Sequence, residues 1–285
     1  MHAVAPARVG LPAGRPALLK RVASAGVLLP VFLLIVVKAP GWMFNALVIL
    51  ASAAALWELM RMFEQGGRPA YRTLGVIAGT ALTASFAAAG MLQPMTLPAL
   101  VLALAVGAVL SAPIWDRAPA TEPAANTLLA ILYVGWLLGY GILLHHTSTI
   151  GDELVIFLVG VTWIGETSAY LVGSAIGRHK LAPVVSPKKT IEGAAAQVVA
   201  SVISAVFLGA WLLPQCGMGI ALGGGALLGV VGQVGDLAES VIKRSVGTKD
   251  TGGLIPGHGG VLDRIDSLLF NLPAFYYFTL LVGCR

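Results

Sequence analysis

Residues 240–266 concentrate side chains that can bind a metal ion and a polyphosphate together. Carboxylates share Mg²⁺ with substrate phosphates and water, and cations neutralise the charge of those phosphates. The segment and its N-terminal edge supply the acids Asp236, Asp250, Asp263 and Asp266 and the cations Lys243, Arg244, Lys249 and Arg264. In a chain that is otherwise mostly apolar, this density of charge predicts a chemical site rather than a packing surface.

Glycines in the same segment predict a backbone that approaches a ligand closely. The glycines Gly252, Gly253, Gly257, Gly259 and Gly260 surround Pro256 and His258. Glycine leaves no side chain between the backbone and a bound molecule, and exposed backbone amides bind phosphate oxygens. We therefore expect Gly259 and Gly260 to contact phosphate. We expect His258 to hydrogen-bond a phosphate or a ribose, and we favour this over a role as general base.

Helical spacing places several of these polar groups on one face. Asp236, Glu239, Ser240 and Lys243 follow one another at i, i+3, i+4 and i+7, so they share one side of a helix. Two carboxylates one turn apart repel unless a cation lies near them. Asp263 and Asp266 form a second such pair. The alternative, salt bridges that only join helices, does not explain the glycines.

A second basic cluster lies at 177–193. Ser186-Pro-Lys-Lys-Thr190 leads into a helix, with Ser186 or Thr190 as its cap and Glu192 in its first turn. Lys188 and Lys189 oppose the dipole of that helix start, which itself attracts anions. A bound anion would resolve the conflict. We therefore expect substrate phosphate to be bound by Ser186, Lys188, Lys189 and Thr190. The alternative is that the lysines only anchor the loop to acidic lipid headgroups.

The composition is that of an integral membrane protein. The chain is 57% hydrophobic and 11% charged, whereas about a quarter of the residues in soluble domains are charged. We predict an all-α, polytopic single domain, 1–285, with a scaffold at 1–150 and catalytic helices and loops at 151–285. Apolar runs near the roughly 17 to 25 residues that cross a bilayer are found at 18–37, 43–63, 74–93, 97–115, 125–144, 153–177, 191–213, 217–239 and 265–283.

The positions of the basic residues indicate an orientation for these nine spans. With a cytoplasmic N-terminus, every Lys and Arg except Lys38 and Arg285 falls on the cytoplasmic side, as the positive-inside rule requires. The C-terminus then lies on the outer side of the inner (cytoplasmic) membrane. The first apolar run lacks a convincing cleavage site, so we interpret it as a retained span rather than a signal peptide.

Three remaining features carry less functional information. The net charge of +5 follows from the cytoplasmic loops, and no basic run with interleaved aromatics indicates a nucleic-acid partner. Cys216 and Cys284 both fall on the outer side, where oxidation could join them; we favour two unpaired thiols near helix ends. Glu58, inside the second span, is expected to pair with Arg61 near the membrane interface.

The C-terminal motifs resemble those of phosphatidate cytidylyltransferases, also called CDP-diacylglycerol synthases. The matching segments are Ser240-Val-Ile-Lys-Arg, Lys249-Asp250, Pro256-Gly-His-Gly-Gly-Val-Leu-Asp-Arg-Ile-Asp266, Gly177-Arg-His-Lys-Leu-Ala-Pro, Ser186-Pro-Lys-Lys-Thr and Glu192-Gly193. The nine-span topology is also similar to that family. The resemblance covers residues 160–270, while the first 150 residues agree only in hydropathy.

The resemblance implies a reaction and a set of ligands. CTP would condense with phosphatidic acid within membrane lipid, releasing pyrophosphate and leaving CDP-diacylglycerol. Mg²⁺ would be held by Asp236 and Asp263, with Asp266, Glu239 and Glu166 as further candidates, and a second cation is left open. The expected catalytic set also contains Lys243, Arg264 and His258, and the expected substrate-binding set contains Ser240, Arg244 and Lys249 together with the loop residues above. A homodimer is left open.

One departure and two alternatives accompany the resemblance. The family usually has Asp where this chain has Glu166, which leaves open a paralogue with altered lipid or nucleotide preference. A CTP-dependent polyprenol or phytol kinase would phosphorylate an alcohol and release CDP instead of pyrophosphate. A transporter would also bury charges, but the internal repeats common in transporters are not recognisable here.

These interpretations give three structural expectations. Asp236 and Asp263 should approach one another closely enough to share one ion. The 186–190 segment should open on the same cavity as Lys243 and His258. The sixth to ninth spans should wall that cavity, with a side opening to lipid, and the glycines at 223–225 should serve close helix packing.

Overall fold

The structure, a computed structural model, describes residues 26, 29–88, 95–115, 121–147, 149–253 and 259–284. Its helices are α1 (Leu29–Lys38), α2 (Gly41–Gln65), α3 (Arg72–Ser85, followed by a 3₁₀ turn at Phe86–Ala88), α4 (Thr96–Trp115), α5 (Glu122–His146), α6 (Gly151–Ile176), α7 (Ile191–Leu212), α8 (Pro214–Ser245) and α9 (Leu262–Val282). Helices α5 and α8 each contain a π-helical turn, at Ile131–Trp136 and Ile220–Gly224.

Seven of these helices are long and apolar enough to cross a membrane: α2 and α4 to α9. The other two predicted spans coincide with α1 and α3, which are shorter and border residues outside the described part of the chain. The all-α, polytopic architecture is therefore seen, and the count of nine spans stays a prediction. Large apolar side chains on α7 face outward, with Phe207 73% and Trp211 76% exposed, as expected of a surface in contact with lipid.

A short β-hairpin interrupts the helices. Strands β1 (Lys180–Ala182) and β2 (Ser186–Thr190) pair antiparallel between α6 and α7. Thr190 ends β2 and caps α7, because its Oγ1 accepts a hydrogen bond from the Gly193 amide at 3.2 Å. The hairpin replaces the simple loop expected from the sequence and holds the 186–190 segment in an extended conformation.

Close packing of α8 against its neighbours brings the catalytic helices together. A Cβ on Gly229 would lie 2.9 Å from the Val198 Cα of α7, and one on Gly235 would lie 2.9 Å from the Asp266 carbonyl oxygen of α9. Only a residue without a side chain permits such contacts. The 223–225 glycines behave in the same way, since a Cβ on Gly225 would lie 2.7 Å from the Ala205 Cβ. The expectation of close packing there is confirmed.

A disulfide joins Cys216 to Cys284, with 5.1 Å between their Cα atoms. The expectation of two unpaired thiols is therefore wrong. The reason is local: Gly283 adopts φ +69°, and the amides of Gly283 and Cys284 bond back to Leu280 and Thr279 at 3.4 and 3.0 Å. This glycine-terminated helix cap turns Cys284 inward toward the start of α8.

Candidate active site

A polar cavity of about 820 Å³ lies where α6, the hairpin, α8 and α9 meet the described parts of the glycine-rich loop, residues 246–253 and 259–261. All of these elements belong to the C-terminal half of the chain. The lining residues are Glu166, Ser186, Asp236, Glu239, Ser240, Lys243, Arg244, Lys249, Asp250, Gly252, Gly259, Asp263, Arg264 and Asp266. Most of the predicted site residues thus face one cavity.

Three carboxylates converge in this cavity. Asp236 and Glu239 of α8 and Asp266 of α9 each place one oxygen within 4.8 Å of the others. The i, i+3 spacing puts the first two on one face of α8, and the close approach at Gly235 brings the backbone of Asp266 against that helix. Oxygen ligands in this arrangement suit a hard divalent cation such as Mg²⁺.

Lys243 connects this carboxylate cluster to Asp263. Its Nζ donates to Asp263 Oδ1 at 2.9 Å and to Glu239 Oε2, one turn earlier on α8. The ammonium group thus lies between two acids that would otherwise repel each other. Asp236 and Asp263 line the same cavity, but the acid clustered with Asp236 and Glu239 is Asp266, so the expectation that Asp236 and Asp263 share one ion stays a prediction.

Asp263 also fixes the glycine-rich loop. Its Oδ2 accepts hydrogen bonds from the Gly260 amide at 2.9 Å and from the Thr251 amide at 3.4 Å. These two amides come from opposite sides of the loop, so one carboxylate at the start of α9 holds both. Asp263 therefore has two partners in different elements, Lys243 on α8 and the loop backbone.

The hairpin reaches the same cavity through its second strand. Lys189 Nζ lies 2.7 Å from Asp236 Oδ2, and the Arg244 Nε donates to the Val185 carbonyl at 3.2 Å. Ser186 lines the cavity directly. The expectation that the 186–190 segment and Lys243 open on one cavity is therefore confirmed.

Other predicted contacts fall elsewhere within the described residues. Lys188 is exposed at the surface, Thr190 is buried as the α7 cap, and the Gly260 amide is already bonded to Asp263. His258 lies outside the residues that the structure describes. Asp250 and Gly252, which the sequence places in the charged, glycine-rich segment without a specific role, both line the cavity.

Glu58 occupies a different place from the one expected. Instead of lying at the interface beside Arg61, it is 3% exposed, and its Oε2 accepts a hydrogen bond from the Leu262 amide at 3.0 Å. Leu262 begins α9, so a carboxyl group from the N-terminal half touches the catalytic half. Sequence spacing within α2 suggested Arg61 as partner and carried no signal for a contact between such distant parts of the chain.

Comparisons with known proteins agree with this geometry. The chain is 43% identical over 153 residues to the uncharacterized protein YnbB of Escherichia coli (strain K12), a match covering 53% of this chain and 50% of that protein. It is 40% identical over 150 residues to a phosphatidate cytidylyltransferase of Staphylococcus aureus (strain COL), covering 53% and 56%. A Staphylococcus epidermidis protein of the same name is 38% identical over 150 residues, with the same coverage.

The chain spans about half the length of the curated relatives it matches. The match to the family itself is wider and extends over residues 19–282, which includes every described element of the cavity. The chain therefore belongs to the cytidylyltransferase family.

Proposed function

We propose that this protein transfers the cytidylyl group of CTP to phosphatidic acid, giving CDP-diacylglycerol and pyrophosphate. The observation that carries the proposal is the meeting of three carboxylates within 4.8 Å in a cavity walled by membrane helices, with Lys243 paired to Glu239 and Lys189 paired to Asp236. A metal nucleotide and a phospholipid headgroup both need such a site. Family membership and the names of the relatives point to the same chemistry.

The donor set fits a divalent metal ion. Asp236, Glu239 and Asp266 offer three oxygens, and Glu239 Oε1 is buried without a hydrogen-bond partner among the described residues. We propose that these residues hold Mg²⁺, with Asp263 and Glu166 as further candidate ligands on the same cavity. When bound, such an ion polarises phosphate oxygens and neutralises part of their charge.

The reaction needs no nucleophilic side chain. A phosphate oxygen of phosphatidic acid attacks the α-phosphorus of CTP, the bond between the α-phosphorus and its bridging oxygen breaks, and pyrophosphate leaves with that oxygen. The work of the protein is to align these groups and to stabilise charge. We assign charge neutralisation to the cavity cations Lys243, Arg244, Lys249 and Arg264 and to Lys189, which pairs with Asp236 of the cavity lining.

The position of the cavity suits a lipid that stays in the membrane. Extracting acyl chains would cost about 0.8 kcal/mol per CH₂, so the headgroup must reach the cavity while the chains remain in the bilayer. The helical lining residues lie within α6, in the last third of α8 and in the first turns of α9, and each of these helices is long enough to span the membrane. We propose that phosphatidic acid enters sideways between the helices that wall the cavity.

The disulfide supports an orientation with the cavity on the cytoplasmic side. Cys284 follows the end of α9, while Asp263 and Asp266 stand at its beginning. The 21 residues of α9 extend about 30 Å at 1.5 Å per residue, so the disulfide and the cavity lie at opposite ends of a spanning helix. Because disulfides persist in oxidising compartments, we propose that the opposite end of α9, with the cavity, faces the reducing cytoplasm.

Pyrophosphate release tests the proposed function. Purified protein in detergent should release pyrophosphate only when CTP, Mg²⁺ and phosphatidic acid are all present, and omission of any one should stop release. Diacylglycerol in place of phosphatidic acid is the matched lipid control, because it lacks the attacking phosphate. Release of CDP, with phosphate appearing on a lipid alcohol, would contradict the proposal and indicate a lipid kinase.

A further inference from the structure

Glu58 connects the two halves of the molecule at the edge of the cavity. Its Oε2 accepts a hydrogen bond from the Leu262 amide. The first N–H groups of a helix have no acceptor within the helix, and a carboxyl group is a favourable acceptor for them. Leu262 directly precedes Asp263, and Arg264 follows. The N-terminal half thus holds the first turn of the helix that carries these two cavity residues.

The same carboxyl group packs against both sides of the glycine-rich loop. A Cβ on Gly252 would lie 2.7 Å from Glu58 Oε1, and a Cβ on Gly260 would lie 2.6 Å from Glu58 Oε2. A Cβ on Gly260 would also lie 2.4 Å from Thr251 Oγ1. A side chain at either glycine would therefore displace the Glu58 carboxyl group or its neighbours, so glycine at these two positions makes room for Glu58.

We propose that Glu58 is a positioning residue for the active site. Glu58 acts through the loop and the start of α9, because its carboxyl group contacts Gly252, Gly260 and Leu262. These contacts fix the loop amides that donate hydrogen bonds to Asp263. Asp263 is thereby oriented toward Lys243, to which it is bonded at 2.9 Å. The role in catalysis rests on the proposed function, whereas the role in ordering the loop does not.

Loss of the Glu58 carboxyl group should therefore affect turnover more than nucleotide binding. In Glu58→Ala we expect kcat to fall about 10- to 100-fold, the size of effect that small misplacements of catalytic groups produce. The KM for CTP should change less than about threefold, since the cavity cations remain. Glu58→Gln, which still offers an oxygen to the Leu262 amide, should recover part of the lost turnover.

Glu64→Ala is the matched control. Glu64 stands on the same helix, but it is exposed and pairs with Arg72 at 2.8 Å. Its removal should leave kcat and KM at the wild-type values, because the contact lies outside the cavity.

Hydrogen exchange separates this inference from the proposed reaction, because it needs no substrate. In Glu58→Ala, amides 249–253 and 259–264 should exchange faster than in the wild type, while amides in the middle of α6 and α7 keep their protection. Glu64→Ala should leave both sets unchanged. If the wild type fails to make CDP-diacylglycerol, the proposed function is wrong and the exchange result still decides whether Glu58 orders the loop.

A second pair of variants covers the case in which Glu58→Ala does not fold. Gly252→Ala should lower kcat by itself, and the effect should be smaller when Glu58→Asp makes room for the added methyl group. Wild-type kcat and wild-type loop exchange in Gly252→Ala, or faster exchange spread over all helices in the Glu58 variants, would overturn the inference.

Discussion

The two ends of α9 are held in place by different means. At the cavity end, α9 begins with hydrogen bonds and ion pairs: Leu262 to Glu58, Asp263 to Lys243 and to the loop amides. At the other end, the helix is joined to the start of α8 by the Cys216–Cys284 disulfide. Between them, Phe275 stacks on Phe157 of α6 with 5.4 Å between ring centroids.

This difference indicates that stability and chemistry are supported at separate ends of the same helices. Charges collected at one end create a site for anionic ligands and a metal ion, but paired buried charges add little net stability. The covalent bond and aromatic packing at the other end contribute no groups to the cavity. Changes at the two ends should therefore have opposite consequences for turnover and for unfolding.

The largest effect is expected at the carboxylates of the cavity end. Asp236→Asn and Asp263→Asn should each reduce turnover by about 10³-fold or more, because each removes charge that the metal and Lys243 need. The unfolding midpoint in detergent should stay near the wild-type value. Asp152→Asn, at the start of α6 and away from the cavity lining, is the control. Substantial activity in either cavity variant would remove that residue from the catalytic set.

A smaller effect is expected at the hairpin, and it should distinguish two adjacent lysines. Lys189 reaches Asp236 at 2.7 Å, whereas Lys188 is exposed. Lys189→Ala should raise the KM for CTP or for phosphatidic acid about 10-fold, the value of one charge-assisted contact. Lys188→Ala should change it by less than about threefold. Equal effects of the two substitutions would indicate general attraction to anionic lipid instead.

The disulfide end should show the reverse pattern. Cys216→Ser combined with Cys284→Ser should lower the free energy of unfolding by about 2 to 4 kcal/mol and leave kcat unchanged below the unfolding temperature. Thermal unfolding and pyrophosphate release, measured on the same preparation, check both parts. A loss of turnover in the folded variant would show that the two ends are coupled.

The smallest effect is expected at an exposed ion pair remote from both ends. Arg68 and Glu122 lie 3.1 Å apart with side chains 51% and 49% exposed. Arg68→Ala should change the free energy of unfolding by less than about 1 kcal/mol, because water screens such pairs, and should not alter kcat. A larger loss of stability would mean that the contact between the α2–α3 connection and α5 depends on this pair.

The sequence predicts those features that follow from local spacing. Asp236, Glu239 and Lys243 share a helix face by periodicity alone, and Thr190 is recognisable as a cap; the structure bears out both. Hydropathy likewise places the long apolar helices, although the lengths of α1 and α3 in the described residues leave two spans undecided.

The features that the sequence does not predict depend on contacts between distant segments. The carboxylate that joins Asp236 and Glu239 within 4.8 Å is Asp266, because the glycine packing of α8 and α9 sets which turn of one helix faces the other. Glu58 and Leu262 are 204 residues apart, and the cysteines 68. No periodicity encodes such pairs.

The most direct test of the proposed reaction is to determine which phosphorus atom of CTP is transferred to the lipid. Protein supplied with phosphatidic acid, Mg²⁺ and CTP that carries radioactive phosphorus at either the α or the γ position should yield labelled lipid only from the α-labelled nucleotide. The γ label should appear in pyrophosphate, and Asp236→Asn should transfer neither. Labelled lipid from γ-labelled CTP would contradict cytidylyl transfer and show that the cavity phosphorylates its lipid.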